Sequence, residues 1–230
     1  MTPPATSGGT PGADRSDDAA GPTGRAGHSD PAASPGVPDH VPDHRSVAAA
    51  VSEMVGVLGR HEAEDWTVRA GTLDWSCLET AAHIAHDLLA YAGQVTAAPS
   101  DAYLPFDLVV RPAASPADTL RTVTACGRLL SGALATAGPG LRAWHWGPCD
   151  VTGFAAMGVA ETLLHTHDIT GGLGVPWAPP SALCAVVLGR LFPDAPSGDP
   201  VEVLLWCTGR GELEGRPRRT SWTWRAALPG

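Results

Sequence analysis

Phe154-Ala-Ala-Met-Gly-Val-Ala-Glu161-Thr-Leu-Leu-His165-Thr-His-Asp168 is the stretch that decides the reading of this chain. At about 100° per residue, Phe154, Met157, Leu164 and Ile169 share one arc of a helix with Glu161 and His165. A carboxylate and an imidazole therefore ride on the stripe that should pack inward. A buried carboxylate needs a cation, a hydrogen-bond network or a water-filled cavity to offset its lost hydration. Glu161 and His165, one turn apart, can reach the same cation, and Asp168, one turn further on, can orient His165. The same pair also reads as a Glu–His hydrogen bond that locks the helix. His167 projects away from this face.

Outward from that stretch the chain reads as all-α. Asp150 can cap the helix just quoted, and Gly171-Gly172 or Gly174 ends it. Ser115-Pro116 opens a preceding helix that stops near Gly138-Pro139-Gly140. Asp74 is positioned to cap an earlier one, from Trp75 to about Ala97. Val47, Val51, Met54, Val55 and Leu58 recur at helical spacing between Ser46 and Glu64. Four helices of bundle length result, spanning residues 44–174. Residues 175–230 form a C-terminal extension expected to pack on the bundle. It holds a short helix from about Pro180 to Leu191, an apolar run Val201-Glu-Val-Leu-Leu-Trp206, and Trp222 and Trp224 alternating with polar residues as in a strand or hairpin edge.

Residues 1–43 are rich in Pro, Gly, Ser and Asp and nearly free of large apolar side chains, which predicts a disordered tail. His28, His40 and His44 in or beside it read as solvated. The 230 residues carry a net charge of −9, with 43% hydrophobic and 17% charged residues, the profile of a soluble globular protein. Fifteen basic residues, all Arg, give no cationic surplus, which argues against nucleic acid as a partner. Five scattered cysteines without a C-x-x-C pair read as buried thiols of a reducing compartment. No run approaches a membrane span and no signal peptide opens the chain, so a cytoplasmic location is expected. Nucleotide-binding loops and the G-x-S-x-G elbow are absent.

On the second helix, His83 shares a face with Glu79, His86 and Asp87, while Cys77, Ala81, Ile84, Ala85, Leu88 and Ala92 take the other. Periodicity alone places His83 in a solvated polar stripe. A cleft between helices is the alternative. Trp144, His145 and Trp146, just before the fourth helix, read either as the wall of such a cleft or as a loop anchored by aromatics.

Two motifs in order, Trp75-Ser-Cys-Leu-Glu-Thr-Ala-Ala-His83-Ile-Ala-His-Asp and Ala160-Glu161-Thr-Leu-Leu-His165-Thr-His-Asp168-Ile-Thr-Gly-Gly-Leu-Gly174, resemble the DinB-like superfamily, in particular its mycothiol-dependent maleylpyruvate isomerase branch. That family carries a Trp eight residues before a His, then E-x-x-x-H-x-x-D and a Leu-Gly. The phrase Leu204-Leu-Trp-Cys-Thr-Gly-Arg210 is similar to a run in its C-terminal part. The resemblance covers roughly residues 46–174. It implies an up-down-down-up four-helix bundle holding one divalent metal, usually zinc, on His83, Glu161 and His165. It also implies mycothiol as a low-molecular-weight thiol cofactor, and a transferase or isomerase reaction in which the thiolate attacks a small electrophilic substrate. Arg210, with Arg218 and Arg219 less directly, is a candidate clamp for a carboxylate or for the cofactor's polar groups. A non-catalytic metal- or ligand-binding bundle and a metal-dependent hydrolase are the competing readings. The C-terminal part is short for the isomerases' separate α/β domain, which leaves the substrate open.

Overall fold

The computed structural model describes residues 41–228. The expectation for the tail, including His28 and His40, falls for residues 1–40 outside the described residues. His44 is the first residue of a helix.

Six α-helices and one two-stranded ribbon make up the regular structure of the described residues: α1 His44–Leu58, α2 Cys77–Ala97, α3 Pro116–Thr136, β1 Ala143–Trp144, β2 Pro148–Cys149, α4 Val151–Leu173, α5 Ser181–Leu191 and α6 Pro200–Cys207. None is long and apolar enough to cross a membrane. Helix starts follow local chemistry. The Asp43 carboxylate accepts from the Arg45 and Ser46 amides and starts α1. Ser115 and Asp118 form a reciprocal capping box ahead of α3, with Pro116 at the first helical position, where its missing N–H costs nothing. Asp150 accepts from the Gly153 amide at α4, and Gly174, at φ 68°, ends that helix in the left-handed region.

Two boundaries differ from expectation. The cap of α2 is Ser76, in a capping box with Glu79, and Asp74 is instead a surface ion-pair partner of Arg69. The first helix stops at Leu58 and continues only as a short 3₁₀ turn, Gly59–His61.

α1 packs on α3 and α4, and α2 packs on α3 and α4, so α1 and α2 face each other across the core, as do α3 and α4. α4 is the most enclosed element. Every residue from Gly153 to Thr166 is buried, so it has no solvent stripe. The C-terminal α5 covers it and α6 packs on α5, which is why residues of both sequence faces of α4 are apolar. At Gly158 a β-carbon would lie 2.7 Å from Leu130 Cδ2, so the absence of a side chain there sets the close approach to α3.

The extension packs on the bundle through Arg190 of α5. Its Nη2 donates to the Asp150 carboxylate at 2.8 Å and to the Ala226 carbonyl at 2.8 Å, tying α5 and the chain end to the start of α4. The run Val201–Trp206 is α6, capped by Asp199 with Pro200 following. Trp222 and Trp224 do not form a strand. The segment has no ladder partner; the Trp222 and Trp224 rings meet edge-on at 5.8 Å, and Trp222 lies 6.4 Å from Phe192.

Candidate metal centre

Two helices that neighbour each other in the bundle, α2 and α4, supply the site. His83, Asp87 and Tyr91 recur every four residues along α2 and so share one stripe. That stripe is turned toward Glu161 and His165 of α4, not toward solvent. The solvated reading of His83 is thereby corrected: its side chain is 17% exposed, and its Nε2 lies 3.7 Å from Glu161 Oε2 and 3.3 Å from Asp87 Oδ2. Glu161 Oε2 is 3.3 Å from His165 Nε2. One ligand atom from each of His83, Glu161 and His165 falls within a 4.8 Å cluster. Of the other members of the expected polar stripe, Glu79 is exposed and spent on its capping box, and His86 accepts from the Leu108 amide at 3.2 Å.

Bonds of about 2.1 Å arranged tetrahedrally put neighbouring donor atoms about 3.4 Å apart. The 3.3 and 3.7 Å separations from Glu161 are compatible with a shared cation, and equally with direct Glu–His hydrogen bonds. The tautomer of His165 fits as well. Asp168 Oδ2 sits 3.0 Å from its Nδ1. A carboxylate can only accept, so Nδ1–H donates; in the neutral imidazole Nε2 then turns a lone pair to the cluster, and in the imidazolium Nε2–H donates to Glu161. Asp168 is itself held by Arg210, whose Nε donates at 3.0 and 3.2 Å to the two carboxylate oxygens and whose Nη2 donates to Oδ2 at 2.7 Å. Arg210 thus clamps a carboxylate, but that of the chain's own Asp168. Its remaining contact, from Nη1, is to the Thr208 carbonyl.

The cluster is rich in carboxyl groups. Three carboxylates, Asp87, Glu161 and Asp168, are enclosed with a single guanidinium. Burial raises the Asp87 carboxyl well above the usual range, and the Glu161 charge beside it adds to the effect, against His83. Burial would do the same to Glu161, but hydrogen bonds and charge from His165 and His83 reverse it and hold that carboxyl well below the usual range. At Asp168, burial is outweighed by His165 and Arg210, and the net shift is downward. At His165, desolvation is outweighed by Asp168 and Glu161, and the net shift is upward. Imidazole, carboxylate and imidazole form a donor set suited to zinc and its neighbours in the first transition row.

Trp75 and the hairpin close the surroundings. The Trp75 ring lies 4.8 Å from that of His83 and 6.5 Å from that of His165. It is held there by the turn before α2, where the Ala70 amide donates to the Trp75 carbonyl. That turn crosses α4 so closely that a β-carbon at Gly172 would meet the Arg69 carbonyl oxygen at 2.2 Å. Gln94, fully buried, donates to the carbonyls of Ala102 and Trp144 and accepts from the Leu104 amide, fastening both the α2–α3 loop and the β1–β2 hairpin to α2.

Of the three hairpin residues read as a cleft wall or an anchored loop, His145 is buried, bonded to the Tyr103 hydroxyl and stacked edge-on against Tyr91 at 5.9 Å. Trp146 points out, 81% exposed. Arg218 donates to the Gly209 carbonyl and to Thr72 Oγ1, and Arg219 lies over the Trp206 ring. Asp87 and Tyr91 are the residues that sequence reasoning left without a role. Continuing the His83 stripe by four and eight positions would have found both. Comparison with protein-family models, curated proteins and solved structures returned no match.

Proposed function

We propose that the chain is a DinB-like, metal-dependent enzyme of the mycothiol-using maleylpyruvate isomerase type, a thiol transferase or isomerase acting on a small electrophile. The observation that carries the reading is the convergence of His83 Nε2, Glu161 Oε2 and His165 Nε2 from two helices onto one point. These are the positions that the two motifs assign to the metal. A divalent cation bound there would supply Lewis acidity, lowering the pKa of a thiol entering the position that three protein ligands leave open. The chain's own residues prepare that position. Asp168, held by Arg210, keeps the His165 Nε2 lone pair directed inward, and Trp75 covers both imidazoles and limits water on that side.

The thiol must come from outside the chain. All five cysteines are buried, none belongs to the cluster, and burial raises the thiols of Cys149 and Cys184 to about 12. Arg210, spent on Asp168, acts in this reading as a positioning residue and not as a cofactor clamp.

The test has two stages. Purified wild-type protein should carry one equivalent of zinc, and His83→Ala and Glu161→Ala should lose it. Full zinc in both variants refutes the site. The zinc form is then mixed with mycothiol and a panel of electrophiles, and adducts or isomers are followed by mass spectrometry. Turnover that exceeds the protein-free rate and vanishes in Glu161→Ala supports the enzyme. Equal rates with and without protein refute the transferase reading, and ester or amide cleavage without thiol assigns the site to hydrolysis.

A further inference from the structure

Glu161 uses its two oxygens differently. Oε2 faces His83 and His165 at 3.7 and 3.3 Å, whereas Oε1 accepts a hydrogen bond from the Tyr91 hydroxyl at 3.3 Å. Tyr91 is 4% exposed, and its ring is fixed edge-on between His145 at 5.9 Å and Phe154 at 6.0 Å. The hydroxyl has no other hydrogen-bond partner among the described residues, and a buried phenol O–H without one is costly. The ring cannot turn without disturbing this packing, so the hydroxyl is held where it meets Glu161.

Resting on the metal reading above, the geometry points to Tyr91 as a positioning residue that makes Glu161 a one-oxygen ligand. A carboxylate free of other partners can close on a cation with both oxygens, which adds a bond and fills space that an incoming ligand needs. With Oε1 engaged by Tyr91, Glu161 presents Oε2 alone. The position left by His83, Glu161 and His165 then stays available to an external ligand. Tyr91 acts through Glu161 and touches neither metal nor substrate. The placement on α2 is economical, since the helix that delivers His83 delivers, two turns later, the group that restrains the ligand from α4.

The test is coordination number, read on cobalt(II)-substituted protein. The wild type should show the intense visible bands of a four-coordinate ion, three protein donors and one water. Tyr91→Phe, which keeps the ring and removes only the hydroxyl, should bind cobalt with band intensity reduced several-fold, the signature of a fifth ligand as Oε1 joins. Tyr103→Phe, whose hydroxyl bonds to His145 instead, should leave the spectrum unchanged. A Tyr91→Phe spectrum identical to wild type overturns the inference. So does loss of cobalt from a Tyr91→Phe protein of native helix content, because the hydroxyl would then govern affinity and not denticity. Infrared difference spectra of zinc-loaded against metal-free wild type give a reading that needs no variant. Wide separation of the antisymmetric and symmetric carboxylate stretches supports one-oxygen ligation, and narrow separation overturns it. If the wild type takes up neither cobalt nor zinc, it is the metal reading that fails, and this inference falls with it.

Discussion

Replacing Arg210 with Met removes a guanidinium of which 10% is exposed from an Asp168 carboxylate of which 5% is exposed. The variant keeps a side chain of similar reach and loses three donor contacts to Asp168, at 2.7, 3.0 and 3.2 Å, and one to the Thr208 carbonyl. Breaking a buried pair by deleting one partner costs about 3–5 kcal/mol, because the remaining charge stays buried without compensation. Asp168 still receives the His165 Nδ1–H at 3.0 Å, so the lower end applies, about 3 kcal/mol. In a domain of this size that is a fall in Tm of about 6–12 °C. The measurement is urea or thermal unfolding of metal-free protein, followed by circular dichroism. Asp168→Asn and the double variant complete a thermodynamic cycle in which the two changes should be non-additive by about 2 kcal/mol. The exposed Arg69–Asp74 pair is the control, and Arg69→Ala should leave the midpoint unchanged. An Arg210→Met cost under about 1 kcal/mol, or a cycle additive within about 0.5 kcal/mol, would refute the argument that this pair is enclosed and supports His165.

Other outcomes follow from the same structure. Asp168→Asn should weaken zinc binding by about 10–100-fold by competition with a chromophoric chelator, since His165 loses the carboxylate that orients it; unchanged affinity would remove Asp168 from the site. Burial lowers the His145 pKa to about 4, against about 6.5 unfolded, so the unfolded chain takes up a proton between these values that the native protein refuses. Stability of the metal-free protein therefore falls as pH drops from about 6.5 through about 4, by about 3 kcal/mol in all. His145→Gln should flatten that part of the urea-midpoint profile. Gly158→Ala should cost about 1–3 kcal/mol, because the added methyl meets Leu130 Cδ2, and a neutral substitution would mean that α3 and α4 have room to part. An aromatic disulfide reagent should leave all five buried cysteines unmodified in native protein and titrate them on unfolding.

Helix starts were legible because a cap is a local device. Asp150, and Ser115 with Pro116, act on amides within three residues, so the chain alone reveals them. Asp74 and Ser76 are both plausible caps two positions apart, and it is the carboxylate of Glu79 returning to Ser76 that decides between them. The site was legible on α4 and obscured on α2 for a single reason. Periodicity equates polar with solvated, whereas His83, Asp87 and Tyr91 are turned against the polar groups of another helix. Complementarity between two stripes is a tertiary fact. The partner of Arg210 was hidden in the same way, since its carboxylate lies on a helix reached only through α5 and α6. Trp222 and Trp224 show the converse error. Alternation describes a strand only where another strand is available to pair with, and their neighbours are Phe192 and the end of α5. Val201–Trp206, read from sequence only as an apolar run, is helical because Asp199-Pro200 supplies a cap and first-turn pair.

The donor atoms of the cluster belong to helices separated in sequence by the whole of α3 and the hairpin, and they meet only once the bundle has closed. An ion that requires all three has little affinity for the unfolded chain. If such an ion is bound, as proposed, its binding energy would be part of the native state's stability, and at a free concentration about 100-fold above its dissociation constant it would add about 2.7 kcal/mol. Supply of that ion in the cell would then govern how long each molecule survives proteolysis, in addition to what it does while folded.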